Sequence, residues 1–109
     1  KGKLEGSAIR VPTVNVSLDD FKFTTKKNVN EEQLNKIFTD AEKANFKGII
    51  QTSSAPLVSN DFNHNSHSSI VDTKETKVIN KNFCRVLSWY DNEWGFSNRL
   101  IDVALKLSK

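Results

Sequence analysis

The sequence predicts an α+β fold, a predominantly antiparallel sheet covered by helices on one face, with a C-terminal helix. Three observations carry this. Residues 14–18 and 83–89 alternate apolar and polar side chains with the period of a strand, Leu34, Ile37, Phe38 and Ala41 recur with the period of a helix, and the chain ends in an apolar segment that follows a capping serine. Strand, helix, short strands and helix in that order suit a two-layer domain around one core.

Residues 9–23 are rich in β-branched and aromatic side chains, with Val14, Val16 and Leu18 alternating against Asn15 and Ser17. Ile9 and Val11 run in the opposite parity and Pro12 cannot donate to a ladder, so a bend is expected at Pro12-Thr13 and a second break at Asp19-Asp20. Two strand segments are therefore expected. Residues 28–45 then read as a helix capped by Asn30, with Gln33 completing a capping box and Glu31 and Glu32 favoured by the helix dipole. Its exposed face should carry Asn35, Lys36, Thr39, Asp40, Glu42 and Lys43. Gly48 supplies the stop and Ile49-Ile50 begins a short strand.

A brief strand is expected at Leu57-Val58, and a hairpin whose arms are Ser69-Ile70-Val71 and Lys77-Val78-Ile79 around a polar turn at Asp72-Thr73-Lys74-Glu75. Residues 83–89 form the strongest late strand, with Phe83, Arg85, Leu87 and Trp89 on one face. After Gly95, Ser97 is positioned to cap a helix to about Leu107. That helix is apolar over most of its circumference, so it requires partners on more than one side.

With 109 residues, 37% hydrophobic and 27% charged, the chain is one folded domain at most. The net charge of +3 comes from lysines interspersed with acids, a solvated surface and not a nucleic-acid footprint, which needs clustering on one face. No apolar run approaches membrane-spanning length. The single Cys84 excludes an internal disulfide and suits a reducing compartment, so a cytoplasmic location is expected. The opening Lys1-Gly2-Lys3-Leu4-Glu5-Gly6 lacks an initiator Met and reads like the middle of a loop, which leads us to expect a piece of a longer chain.

Candidate chemistry is sparse. Asp61, His64 and His67 could converge from a loop, but their spacing is nonspecific and no metal is assigned to them. Cys84 sits in a strand pattern and reads as a small packed residue. Arg10 is suited to hold an anion through its planar guanidinium, although sequence physics alone favours a surface arginine. The glycines are scattered, so there is no phosphate-cradling loop. The densest stretch is Trp89-Tyr90-Asp91-Asn92-Glu93-Trp94-Gly95-Phe96-Ser97-Asn98-Arg99, where a strand pattern passes into a helical one.

That stretch, together with Arg10-Val11-Pro12-Thr13-Val14-Asn15-Val16-Ser17, closely resembles the phosphorylating glyceraldehyde-3-phosphate dehydrogenases. Gly48-Ile49, Val58-Ser59, Asp61-Phe62-Asn63 and Ser68-Ser69 match the same family in order, so the likeness covers nearly the whole chain. The resemblance implies the C-terminal part of that family's catalytic domain, ending in a helix that packs on an N-terminal NAD-binding domain absent from this chain. It implies that Arg10 contacts the phosphate of a phosphorylated aldehyde substrate or inorganic phosphate. Asn92 would hold the nicotinamide carboxamide of NAD, and Phe96, where glycolytic members commonly have Tyr, would lie near the ring. It also implies a homotetramer when full length.

The family's nucleophilic cysteine lies in a Ser-Cys-Thr-Thr-Asn motif that this chain does not contain, and neither His64 nor His67 matches its catalytic base. No catalytic residue is therefore assigned, and the chain alone is expected to be inactive. Trp94-Gly95-Phe96 with Asn63-His64 is also similar to the related erythrose-4-phosphate dehydrogenases, which leaves that substrate open. A noncatalytic self-associating module is the alternative from a different class.

Overall fold

A computed structural model describes residues 2–109. Four strands form one sheet in the order β1-β4-β3-β2, where β1 is Ser17–Thr24, β2 Ile50–Ser53, β3 Ser69–Ile79 and β4 Phe83–Tyr90. The β1–β4 and β3–β4 pairs are antiparallel, while β2 joins β3 in parallel. Helix α1 spans Glu31–Lys43 and α2 spans Asn92–Leu107. The α+β class is as expected, with a mostly antiparallel sheet and a C-terminal helix. Of the two helices it is α1 that packs on the sheet, against β2 and β3.

Helix α1 begins as its sequence dictates. Gln33 N–H donates to Asn30 Oδ1 at 2.8 Å and Asn30 N–H to Gln33 Oε1 at 3.0 Å, satisfying two otherwise unpaired backbone donors. Its buried face is rotated from the expected one. Ile37 is 58% exposed, whereas Asn35, Thr39 and Glu42 turn toward the sheet and are half-buried. Asn35 Nδ2 donates to Thr73 O at 2.8 Å and Asn35 Oδ1 accepts from the buried Thr76 hydroxyl at 2.7 Å, while Glu42 accepts from the Thr52 N–H and hydroxyl.

Those contacts explain why the hairpin expected around residues 72–75 does not form. Residues 69–79 are one strand, and between the Asp72↔Leu87 and Lys77↔Arg85 pairs the four residues 73–76 oppose Val86 alone. A bulge leaves backbone groups off the ladder, and Asn35 takes up one of them. The hairpin instead joins β3 to β4, with Asn80 at φ 52° and Lys81 at φ 63°, the paired left-handed residues of a type I′ turn.

Two further expectations fail near the start. Residues 9–16 form no strand, and Ile9, Val11 and Val14 are 87%, 60% and 98% exposed. Alternation promotes a strand only where a neighbouring edge is available, and β1 begins at Ser17 and runs unbroken through Asp19-Asp20. Leu57-Val58 is likewise outside any strand, leading into a 3-10 turn at Ser59–Phe62 in which Asp61 accepts from Val58 N–H at 2.8 Å.

The sheet has two different faces. On one, Phe62 stacks on Trp89 with centroids 5.5 Å apart, and both join Val16 and Ile70 in the buried cluster. On the other, the next residues along the strands, Val71, Val86, Phe21 and Phe23, join Phe38 of α1 around an open groove of about 550 Å³. Helix α2 is docked only by its first turns. From residue 100 every position is exposed, including Leu100, Ile101, Val103, Leu105 and Leu107 at 55% to 82%.

Candidate functional site at the start of helix α2

The junction between β4 and α2 is organised by Asp91, which is 2% exposed. Its carboxylate caps α2, accepting from Trp94 N–H at 2.9 Å, and also accepts from His64 N–H at 2.9 Å and Asn15 Nδ2 at 3.0 Å. Burial pushes the Asp91 carboxyl up, but the Trp94 and His64 backbone donors, the His64 charge and the Asn15 amide outweigh it. The net shift is below the ordinary carboxylate value of 3.8.

The helix therefore starts five residues earlier than Ser97. Gly95, which the sequence reading placed ahead of the helix, lies inside its first turns, its N–H bonded to Asp91 O at 3.0 Å. What a side chain there would meet is a neighbour and not a bend. A Cβ at Gly95 would stand 3.1 Å from the backbone oxygen of His67. Arg99 closes the same contact, its Nη1 donating to Gly48 O at 3.2 Å, Ser66 O at 3.3 Å and Ser68 Oγ at 3.2 Å.

This docking places Asn92 and Phe96, one turn apart, on a shallow depression of about 190 Å³ lined also by Tyr90 and Arg99. Asn92 is exposed, and its Oδ1 accepts from the Ser17 hydroxyl at 2.9 Å. Phe96 is 64% exposed. Beside them the His64 ring lies 4.7 Å from that of Trp94.

Arg10 is not part of this arrangement. It is exposed in the segment before β1 and lines neither the depression nor the groove. The loop residues Asp61, His64 and His67 are kept apart by separate tasks, and no group of three or more His, Cys, Asp or Glu among the described residues could hold a metal ion. Cys84 is fully buried. No helix among the described residues is long and apolar enough to cross a membrane.

Sequence reasoning missed Asp91, Asn15 and Ser17. The signal for Asp91 was present, since Asp followed by an acid two residues on is a common helix start, but Gly95 masked it. Asn15 and Ser17 read as outward polar positions of a strand and offered no signal.

A chain built this way has clear relatives. A family model described as glyceraldehyde 3-phosphate dehydrogenase, C-terminal domain, matches residues 1–92. The glyceraldehyde-3-phosphate dehydrogenase of Xanthobacter flavus is 49% identical over 108 residues, 99% of this chain and 32% of the relative. Glyceraldehyde-3-phosphate dehydrogenase 2 of Staphylococcus aureus strain MRSA252 is 52% identical over 104 residues, 95% of this chain and 30% of the relative. The glyceraldehyde-3-phosphate dehydrogenase of Zymomonas mobilis is 46% identical over 110 residues, all of this chain and 33% of the relative. The chain thus spans about a third of the length of the curated relatives it matches. It belongs to the glyceraldehyde-3-phosphate dehydrogenase family, as the C-terminal domain.

Proposed function

We propose that this chain is the C-terminal part of the catalytic domain of a longer, cytoplasmic, NAD-dependent enzyme that oxidises and phosphorylates glyceraldehyde 3-phosphate to 1,3-bisphosphoglycerate. The supporting observation is Asn92, held by Ser17 through its oxygen and seated beside Phe96 on the same depression. A carboxamide donor next to an exposed aromatic ring fits the planar, carboxamide-bearing nicotinamide of NAD. When bound, NAD supplies the hydride acceptor. Asn92 then orients the ring by donating from Nδ2, Phe96 packs near it, and Arg10 neutralises substrate phosphate or inorganic phosphate.

The nucleophile and base belong to the remainder of the enzyme, so the 109 residues alone are expected to turn over no substrate. The exposed outer part of α2 is the surface on which the NAD-binding domain packs, in a homotetramer of full-length subunits. Trp94-Gly95-Phe96 keeps erythrose 4-phosphate as the competing substrate, and comparing kcat/KM for the two aldehydes decides between them.

The second reading, a noncatalytic self-associating module, is favoured by the same exposed apolar residues of α2. NAD titration of the full-length protein and its Asn92→Ala variant tests both. Loss of one hydrogen bond should weaken NAD binding roughly tenfold, about 1.4 kcal/mol. Unchanged affinity removes Asn92 from the site and leaves the module reading.

A further inference from the structure

We propose that Ser17 is a positioning residue for the cofactor's carboxamide, acting by holding the Asn92 side chain in place with its Nδ2 group free to donate. The inference rests on the nicotinamide role proposed for Asn92. An asparagine amide presents an oxygen and an NH2 group of nearly the same shape, and rotation about the last side-chain bond exchanges them. On an exposed residue in the first turn of a helix, nothing intrinsic holds the amide in one place. Here the Ser17 hydroxyl donates to Oδ1 at 2.9 Å, the one hydrogen bond of the Asn92 side chain among the described residues. Both Nδ2 hydrogens are left to donate. Without that hydroxyl the cofactor alone would have to order the exposed Asn92 side chain, at a cost in affinity.

Ser17 can perform this task because its own place is over-determined. It opens β1 and pairs with Tyr90, two residues before Asn92. The residue before it, Val16, is held at φ 72° and is 6% exposed, in the core cluster with Phe62 and Ile70. A left-handed β-branched residue is a strained one and persists only where the surroundings dictate it. On the far side of Val16, Asn15 bonds Asp91. The kink at Val16 thus sets Asn15 on the cap of α2 and Ser17 on the first residue of the helix.

The test compares NAD with ADP-ribose, which lacks nicotinamide, by calorimetric titration of the full-length wild-type, Ser17→Ala, Ser17→Thr, Asn92→Ala and double-variant proteins. Ser17→Ala is expected to weaken NAD about three- to tenfold while leaving ADP-ribose unchanged. Ser17→Thr, which keeps the hydroxyl, restores the preference, and the double variant loses no more than Asn92→Ala alone. Asn92→Ala losing NAD selectively while Ser17→Ala does not overturns the proposal and spares the Asn92 assignment. An equal loss for both ligands makes Ser17 a general structural residue and also overturns it. No selective effect of Asn92→Ala overturns the underlying reading, and this inference with it.

Discussion

The Asp91 carboxylate accepts the backbone N–H of His64 at 2.9 Å while capping α2 through Trp94, so a single buried side chain joins the loop after the 3-10 turn to the helix that carries Asn92. His64 is itself left-handed, at φ 60°, a conformation that His tolerates better than most residues. Replacing Asp91 by Ala should therefore cost more than an ordinary cap. We expect about 2–3 kcal/mol, from the lost cap together with the His64 and Asn15 donors left without an acceptor. Chemical denaturation of the full-length protein measures this, and a loss below about 0.5 kcal/mol would reduce Asp91 to a surface cap.

Asp91 also sets an acid limit. Its folded-state pKa lies below the ordinary 3.8, the net of burial raising it and the Trp94 and His64 donors lowering it more. The stabilisation is therefore complete above the unfolded value and disappears as the pH falls from there through the folded one. Stability of the wild type should decline in that window below about pH 4 more steeply than that of Asp91→Asn, which has no charge to lose. Parallel pH curves for the two proteins would show that other carboxylates govern the decline.

Gly95→Ala tests two opposed effects. Alanine gains about 1 kcal/mol of helix propensity over glycine. The new methyl group, however, meets the His67 backbone oxygen at 3.1 Å, and backbone tied down through Ser66 and Ser68 to Arg99 has little room to yield. We expect the clash to win, giving a lower Tm and weaker NAD binding as Asn92 and Phe96 move with the helix. A higher Tm would mean that the loop gives way freely.

At the β3–β4 turn the expectation is the reverse. Lys81 occupies a left-handed position at φ 63° that a side chain disfavours, directly after Asn80 at φ 52°. Lys81→Gly produces Asn-Gly, the preferred pair for this turn, and should raise stability by roughly 0.5–1 kcal/mol without altering NAD affinity. Destabilisation would show that Lys81 contributes through its side chain.

Much of the fold was legible because its signals are local. The Asn30–Gln33 capping box, strand β4 and the terminal helix each follow from residues a few positions apart, and each is present. The failures share one cause. Whether residues 9–16 pair, whether residues 69–79 bend into a hairpin or bulge through, and which face of α1 is buried all depend on partners far away in sequence. Asn35 bonding Thr73 and Thr76 across α1 and β3 is the clearest instance. Gly95 misled for the same reason, since the atom that a side chain there would crowd belongs to His67.

By itself the sequence determined the fold class, the family signature at residues 10–17 and 89–99, and, through that resemblance, Asn92 and Phe96 as candidates. Tertiary structure alone decided that Asp91 starts the helix, that a strained Val16 sets Asn15 and Ser17 on two successive residues of the junction, and that Arg10 stands apart from them. The reason is physical: periodicity and capping act within a few residues, whereas the contacts from residue 15 to 91 and from 17 to 92 exist only once β1 has paired with β4.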